Sequence, residues 1–301
     1  MNAIRTICLL GLGEVGSTLA HDLAHNGDPQ LVAWDRQFDD PDSIPSRHAA
    51  QQPGLRHAKA AAEAARGCDL VISAVTAAQA LAAAESVLPS IRPNAWFLDL
   101  NSVSPDSKQA IASAVEAGGA RFVEAAVMSA IAPAGIASRI LASGAHAEDF
   151  VPLAKALGFA HMRACSRHAG RAAATKMCRS VLVKGLEALV TEALLAARHY
   201  EVEADVLASL GDLLARGDWN EHARYLLSRS LQHGVRRAEE MREAARTVRE
   251  AGIEPWMSEA CVKRHEWAPQ FAAALQHREL VPMLDAILAA NAAREPVRQP
   301  A

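Results

Sequence analysis

The chain is 301 residues long, half of them hydrophobic, and carries 31 Lys and Arg against 34 Asp and Glu for a formal charge of −3. That length supports a sizeable core shared between two domains, and that apolar content excludes a disordered chain. With charge nearly balanced and no Lys/Arg stripe interleaved with aromatics, nucleic acid is not an expected partner.

The N-terminal stretch MNAIRTICLL lacks a small-residue cleavage site and reads as a first strand rather than a signal peptide. Short apolar runs predict strands over residues 4–10, 31–35, 69–75, 95–100, 121–127 and 139–143. Ala-rich helices are predicted between them, at 15–26, 76–88 and 106–117. Such alternation implies βαβ units on a parallel sheet, buried on both faces, which accounts for the weak alternation within DLVISAV and AWFLDL. From 172 to 198 the chain has no proline and places Met177, Val181, Leu182, Leu186, Leu189, Val190 and Leu194 at helical spacing, so one long helix is expected. Further helices are predicted at 203–215, 221–250, 258–274 and 278–292, with no strands. The expected fold is an α/β Rossmann domain, a long linking helix and an all-α C-terminal domain, divided as residues 1–165 and 166–301.

The stretch ICLLGLGEVGSTLAHDLA sets Gly11, Gly13 and Gly16 between an apolar run and an amphipathic one. A strand precedes it, a helix follows it, and Asp35 closes the next strand, as a dinucleotide fingerprint requires. Gly11 permits the tight turn, Gly13 lets backbone approach a pyrophosphate, and Gly16 lets helix and strand pack closely. The free N–H groups and the helix dipole then hold the anion. Expected cofactor contacts are Gly11, Leu12, Gly13, Glu14, Val15, Gly16, Asp35 and Arg36, with Val75 and Thr76 at the end of the third predicted strand. A carboxylate at Asp35 suits the ribose hydroxyl of NAD, while Arg36 beside it would attract the extra phosphate of NADP.

These residues resemble the β-hydroxyacid dehydrogenase family, which includes 3-hydroxyisobutyrate and 6-phosphogluconate dehydrogenases. The nearest resemblance is to a subgroup with a phosphogluconate-dehydrogenase-like C-terminal domain of unknown function. Two further segments carry the likeness, DLNSVSPDS at 99–107 and GRAAATKMCRS at 170–180. The resemblance implies that Asn101 and Ser102 bind the acid substrate and that Lys176 is the catalytic general acid/base. It puts Ser180 where the family has an assisting Asn. Where the family has Ser-Gly-Gly, this chain has Met128, Ser129 and Ala130, so Met128 and Ser129 are expected to reshape the substrate pocket. His233, Arg236, Arg237 and Glu240, three and four apart, are expected to share a helix face, either towards substrate or as a salt-bridged solvent face.

The five cysteines form no C-x-x-C pair, the histidines are scattered and no G-x-S-x-G occurs, so neither a metal site nor a nucleophile elbow is expected. Trp219, Trp256 and Trp267 read as core or interface anchors. Charge-free stretches such as 70–84 fall short of the ~20 residues that span a bilayer, so a cytoplasmic protein is expected. The implied activity is NAD(P)-dependent oxidation of a small hydroxy acid. Alternatives are an imine or carbonyl reductase of the same fold and a non-catalytic cofactor-binding module. A homodimer or larger homo-oligomer through the helical domain is implied by the resemblance.

Overall fold

The apolar runs of the first half become one eight-stranded sheet. Its strands are β1 (Thr6–Leu10), β2 (Gln30–Trp34), β3 (Arg56–His57), β4 (Leu70–Ser73), β5 (Trp96–Asp99), β6 (Arg121–Val127), β7 (Ile140–Ser143) and β8 (Met162–Ser166). They lie in the order β3-β2-β1-β4-β5-β6-β7-β8, which reverses direction between β1 and β4. The computed structural model describes residues 4–26, 29–199, 201–210, 218–250 and 254–293.

Alternate residues of each strand feed opposite cores, as the two-residue period of a strand dictates. Ile7, Leu9, Ile72 and Leu98 pack with Leu19 and Leu23 of α1 (Glu14–His25) and Phe150 of α6 (Ala147–Ala156). On the other face Cys8, Leu10, Val71 and Phe97 pack with Ala64 of α3 (Ala61–Ala65), Val87 of α4 (Ala80–Val87) and Ile111 of α5 (Pro105–Ala117). Burial pushes the Cys68 thiol up to about 11, so it is a packing group rather than a nucleophile.

Several features differ from the sequence reading, among them the short edge strand β3, which it did not contain. The pair β6–β7 is antiparallel, because residues 128–139 join the two strands without a crossover helix. The edge strand β8 went unrecognised, since MRACS has no sustained apolar run and only Met162 of it is buried. The helix expected at 76–88 opens as a 3-10 turn at Ala77–Gln79 and becomes α-helical only from Ala80.

The chain divides into two units, Met1–Met177 and Cys178–Ala301. The long helix α7 (Arg171–His199) begins in the first. The second holds α8 (Glu203–Ser209), α9 (Trp219–Glu250), α10 (Trp256–Trp267) and α11 (Leu280–Ala292), with no strand among its described residues. Its core joins Leu194, Leu207, Leu227, Leu231, Phe271, Met283 and Ile287. Leu182 of the predicted apolar stripe is instead 76% exposed, and the side chain of Leu189 lies outside the described set. Most of the expected extension of α8 to 215 also falls outside the described residues. Pro269 ends α10 early, because it has no N–H to offer the carbonyl of His265, and a 3-10 segment follows. Trp267 packs on Phe271, whereas Trp256 is exposed and contributes nothing to the core; the Trp219 side chain is not described. No helix among the described residues is long and apolar enough to cross a membrane.

His265 has no solvent exposure. Its Nε2 donates to the Lys184 carbonyl at 3.3 Å and its Nδ1 faces the Ser230 hydroxyl at 3.2 Å, an assignment set by the carbonyl, which can only accept. Burial, reinforced by the nearby Arg237 guanidinium, pushes its pKa down to about 4. The neutral ring therefore contributes stability that is complete above the unfolded value near ~6.5 and is lost as pH falls towards 4. That loss amounts to about 3 kcal/mol. Urea unfolding at a series of pH values should show a steeper fall below pH ~6.5 for the wild type than for His265→Gln; parallel curves would refute this origin.

Candidate cofactor and active site

The turn from β1 to α1 uses its three glycines for three different physical reasons. Gly11 has φ +87°, and a Cβ there would lie 2.5 Å from the Ala74 carbonyl oxygen. A Cβ on Gly16 would lie 2.0 Å from the Gly11 carbonyl oxygen, so only glycine lets the helix sit against the turn. A Cβ on Gly13 would meet no protein atom within 4 Å. Gly13 therefore answers to no internal contact, and its open side is the kind of cradle into which a pyrophosphate fits. It also stands at the N-cap of α1 with no side chain capping the helix, and the positive end of the helix dipole there favours an anion. The turn and the end of β4 flank the point where strand order reverses, the place where α/β sheets bind ligands.

Asp35 closes β2 but spends its carboxylate on backbone. Oδ2 accepts from the Leu12 N–H at 2.9 Å and Oδ1 from the Gln37 N–H at 2.9 Å. Arg36 is exposed. His48, on α2 (Ile44–Ala50), lies 2.9 Å from the Leu12 carbonyl through Nδ1. Nothing in the sequence pattern singled it out.

Beyond β4, Val75 donates its N–H to Asn101 Oδ1 at 2.7 Å, and Thr76 is exposed. Asn101 Nδ2 donates to Ser73 Oγ at 2.8 Å, and the Asn101 N–H donates to Asp99 Oδ1 at 2.9 Å. Asn101 is thus buried with its amide turned inward, as a strut joining the ends of β4 and β5. Beneath it Lys108 pairs with Asp99, Nζ to Oδ2 at 3.0 Å, both almost without exposure. The next residue, Ser102, is half-buried and accepts from Lys176 Nζ at 2.6 Å.

Lys176 is placed by the start of α7, and that start is set by Glu124. Glu124 is wholly buried on the face of β6 shared with Phe122 and Ala126. Its Oε2 accepts from the Gly170 N–H at 2.5 Å and from Ser143 Oγ across the β6–β7 pair; its Oε1 accepts from the Ala173 N–H. Ser143 Oγ in turn accepts from the Ala172 N–H at 3.2 Å. A carboxylate thus satisfies the orphan donors of the first turn and meets the positive end of the helix dipole. Gly170 enters α7 at φ +94°, with a virtual Cβ 3.1 Å from the Pro105 carbonyl oxygen. Glu124 and Lys108 were missed from sequence, and Asp99 was met only as the first residue of DLNSVSPDS; the available signal was a carboxylate inside an apolar run, in RFVEAAV as in AWFLDL.

Met128 packs against Ala126, Leu141 and Ala172 beside this helix start, and Ser129 is exposed. In the second unit Ser180 is buried, accepting from Lys184 Nζ at 3.2 Å, while Lys184 pairs with Glu240 at 2.7 Å. The expected face from His233 to Glu240 forms only in part: Arg236 pairs with Glu240 one turn on, at 3.8 Å, as a salt-bridged face would have it, while His233 and Arg237 depart from it. The helix breaks at His233 (φ −120°, ψ 15°), where Gly234 presses on the His265 carbonyl and the Pro269 ring. Arg237 turns inward onto Glu187, burial lowering the arginine's pKa and raising the carboxyl's, whereas Arg236 is exposed. Among the described residues no cluster of His, Cys, Asp and Glu has the makings of a metal site.

Replacing Glu124 by Ala leaves the Gly170 and Ala173 N–H groups buried without an acceptor, and should cost about 3–5 kcal/mol in chemical denaturation. Glu124→Gln retains one acceptor and should cost about half as much; equal stability of Glu124→Ala and the wild type would refute the clamp.

Residues 6–170 match the family model described as the NAD binding domain of 6-phosphogluconate dehydrogenase, and 197–268 match a domain of unknown function, DUF1932. A solved structure of a conserved hypothetical protein from Sinorhizobium meliloti 1021 is 33% identical, covers 96% of this chain and 97% of that one, and superposes with TM-score 0.74. The NAD-dependent L-serine dehydrogenase of Pseudomonas aeruginosa is 26% identical over 223 residues, 72% of each chain. The structure of Mycobacterium tuberculosis 3-hydroxyisobutyrate dehydrogenase with L-serine shares the fold at 18% identity, TM-score 0.71, over 94% of this chain and 99% of that one. With that match over more than half its length, and with a glycine cradle that fits the dinucleotide, the chain belongs to the β-hydroxyacid dehydrogenase family of NAD(P)-binding oxidoreductases, with a 6-phosphogluconate-dehydrogenase-like cofactor domain.

Proposed function

We propose that the protein oxidises a small 3-hydroxy acid, with Lys176 as the proton acceptor. The observation that carries this reading is the 2.6 Å hydrogen bond between Lys176 Nζ and Ser102 Oγ. It joins the amine and the hydroxyl that the family motifs assign to catalysis and substrate binding. When bound, the nicotinamide accepts the hydride. The protein must then take the hydroxyl proton and hold the geometry. A neutral Lys176 amine takes that proton; in the reverse direction its ammonium returns it to the carbonyl oxygen. Ser102 aims the amine; Met128 and Ser129 are the proposed substrate-side residues of the first unit and His233 that of the second, while Asn101 braces the loop that carries Ser102. Ser180 is retained in the family's assisting position. Two of the relatives named above bear on the class, since L-serine and 3-hydroxyisobutyrate are both 3-hydroxy acids.

Residues 1–165 are assigned to cofactor and 166–301 to substrate and subunit association, as a homodimer or larger. The exposed Trp256, Met257, Tyr225, Val235 and Leu182 of the helical unit support that association. A cytoplasmic setting accompanies this assignment.

A panel of 3-hydroxy acids followed by nicotinamide absorbance tests the reaction, with NAD and NADP in parallel. Lys176→Ala should lower kcat by at least ~10²-fold while dinucleotide binding persists. Reduction of cyclic imines without action on any hydroxy acid would replace this reading with a reductase, and silence on both despite dinucleotide binding would replace it with a non-catalytic module.

A further inference from the structure

Leu12, between the first two glycines, is held from three directions. Its side chain is buried among Leu9, Leu19 and Ala33 in the sheet core. Its N–H donates to Asp35 Oδ2 at 2.9 Å, and its C=O lies 2.9 Å from His48 Nδ1. A carbonyl can only accept, so His48 Nδ1 carries the proton. The 12–13 peptide is trans, as the described residues' one cis bond is Ala132–Pro133. In a planar trans peptide the C=O and the following N–H point in opposite directions. Fixing the Leu12 carbonyl on His48 therefore turns the Gly13 N–H away from His48, at the residue whose open side meets no protein atom.

His48 is itself well placed to act as an anchor. Ser43 caps α2 by accepting from the Ser46 N–H at 3.2 Å and donates to the Gln37 carbonyl at 2.9 Å. Pro45 and Ala49 are buried, leaving His48 half-buried on the last turn. The carboxylate on one peptide and the imidazole on the next remove the rotational freedom of the glycine loop, the freedom that glycine otherwise leaves.

We propose that His48 is a positioning residue for the cofactor, locking the Leu12–Gly13 peptide so that the Gly13 N–H is preset to receive the pyrophosphate. The inference rests on the family's NAD(P) cofactor and adds a residue from outside the glycine motif. A preset donor spares the ordering cost on binding, so its loss appears in affinity.

Titration of the full chain with NADH, NADPH and ADP tests it, with thermal melts run beside each variant. His48→Leu and His48→Ala should each weaken binding of the preferred dinucleotide and of ADP by about tenfold without a matching fall in Tm. His48→Asn, whose Nδ2 can take the place of Nδ1, should bind within about threefold of the wild type. Dinucleotide binding by the wild type with unchanged affinity in His48→Leu and His48→Ala would overturn this inference alone. Equal loss in His48→Asn would overturn it too, since the donor would then be irrelevant. A wild type that bound neither dinucleotide nor ADP would overturn the cofactor assignment and this inference with it.

Discussion

The carboxylate of Glu124, wholly buried and closed over the first turn of α7, is the contact on which the site depends. It meets the Gly170 and Ala173 N–H groups and the Ser143 hydroxyl, so the helix begins at a fixed place against the sheet. Lys176 lies less than two turns further on, and its reach to Ser102 follows from that start. The same physics is used in the opposite sense at α1. There the N-cap is Gly13, no side chain caps the helix, and space stands open beside it. One helix terminus is neutralised by the protein's own carboxylate and the other is left uncapped by any side chain, as a phosphate site requires. Reversing these assignments would leave a buried N-terminus without acceptors and a phosphate site already filled.

The segment that follows β5 shows how backbone and buried charge combine. Lys108 and Asp99 form a dry ion pair, and such a pair adds little net stability, because desolvation offsets most of the attraction. Its effect is geometric. With Lys108 on one oxygen, Asp99 presents the other to the Asn101 N–H. Asn101 then ties the β4 end at Ser73 and Val75 to the β5 end, just before Ser102. The loops that follow β4 and β5 are thereby fixed to each other within the first unit. An error of about 1 Å between reacting groups can cost a hundredfold in rate, so a short rigid path between these loops matters more than the pair's stability.

The alternation of strands and helices was legible because the central strands are buried on both faces and so read as apolar runs, which the edge strands β3 and β8 are not. The glycine spacing was legible because each glycine is demanded by φ, by backbone contact or by open space. What escaped notice was polar. Glu124, Asp99, Lys108 and His48 belong to residue types usually found in solvent, and their partners lie far away in sequence. Asn101 was read as a substrate ligand, and its amide turns inward because Val75 N–H and Ser73 Oγ lie within its reach. The face from His233 to Glu240 keeps its Arg236–Glu240 pair but loses His233 for a local reason. Helical spacing assumes an unbroken helix, and Gly234 lets α9 come so close to the His265 carbonyl that the chain kinks at His233.

That kink also explains the polar interior of the helical unit. A residue larger than glycine at 234 would meet the His265 carbonyl at 2.3 Å, so the close approach of α9 and α10 at this point requires glycine. Close approach strips water from the groups nearby: His265, Ser230, Arg237, Glu187 and Ser180 are all buried. Each burial is tolerable only with a partner, and the partners are present: Ser230 and the Lys184 carbonyl for His265, Glu187 for Arg237, Lys184 for Ser180. The network is cooperative in the sense that Lys184 serves twice, giving its carbonyl to His265 and its ammonium to Ser180 and Glu240. Moving α7 by a fraction of a turn would break contacts to α9 and α10 together, and this fixes the helix register within the second unit as Glu124 fixes its start in the first.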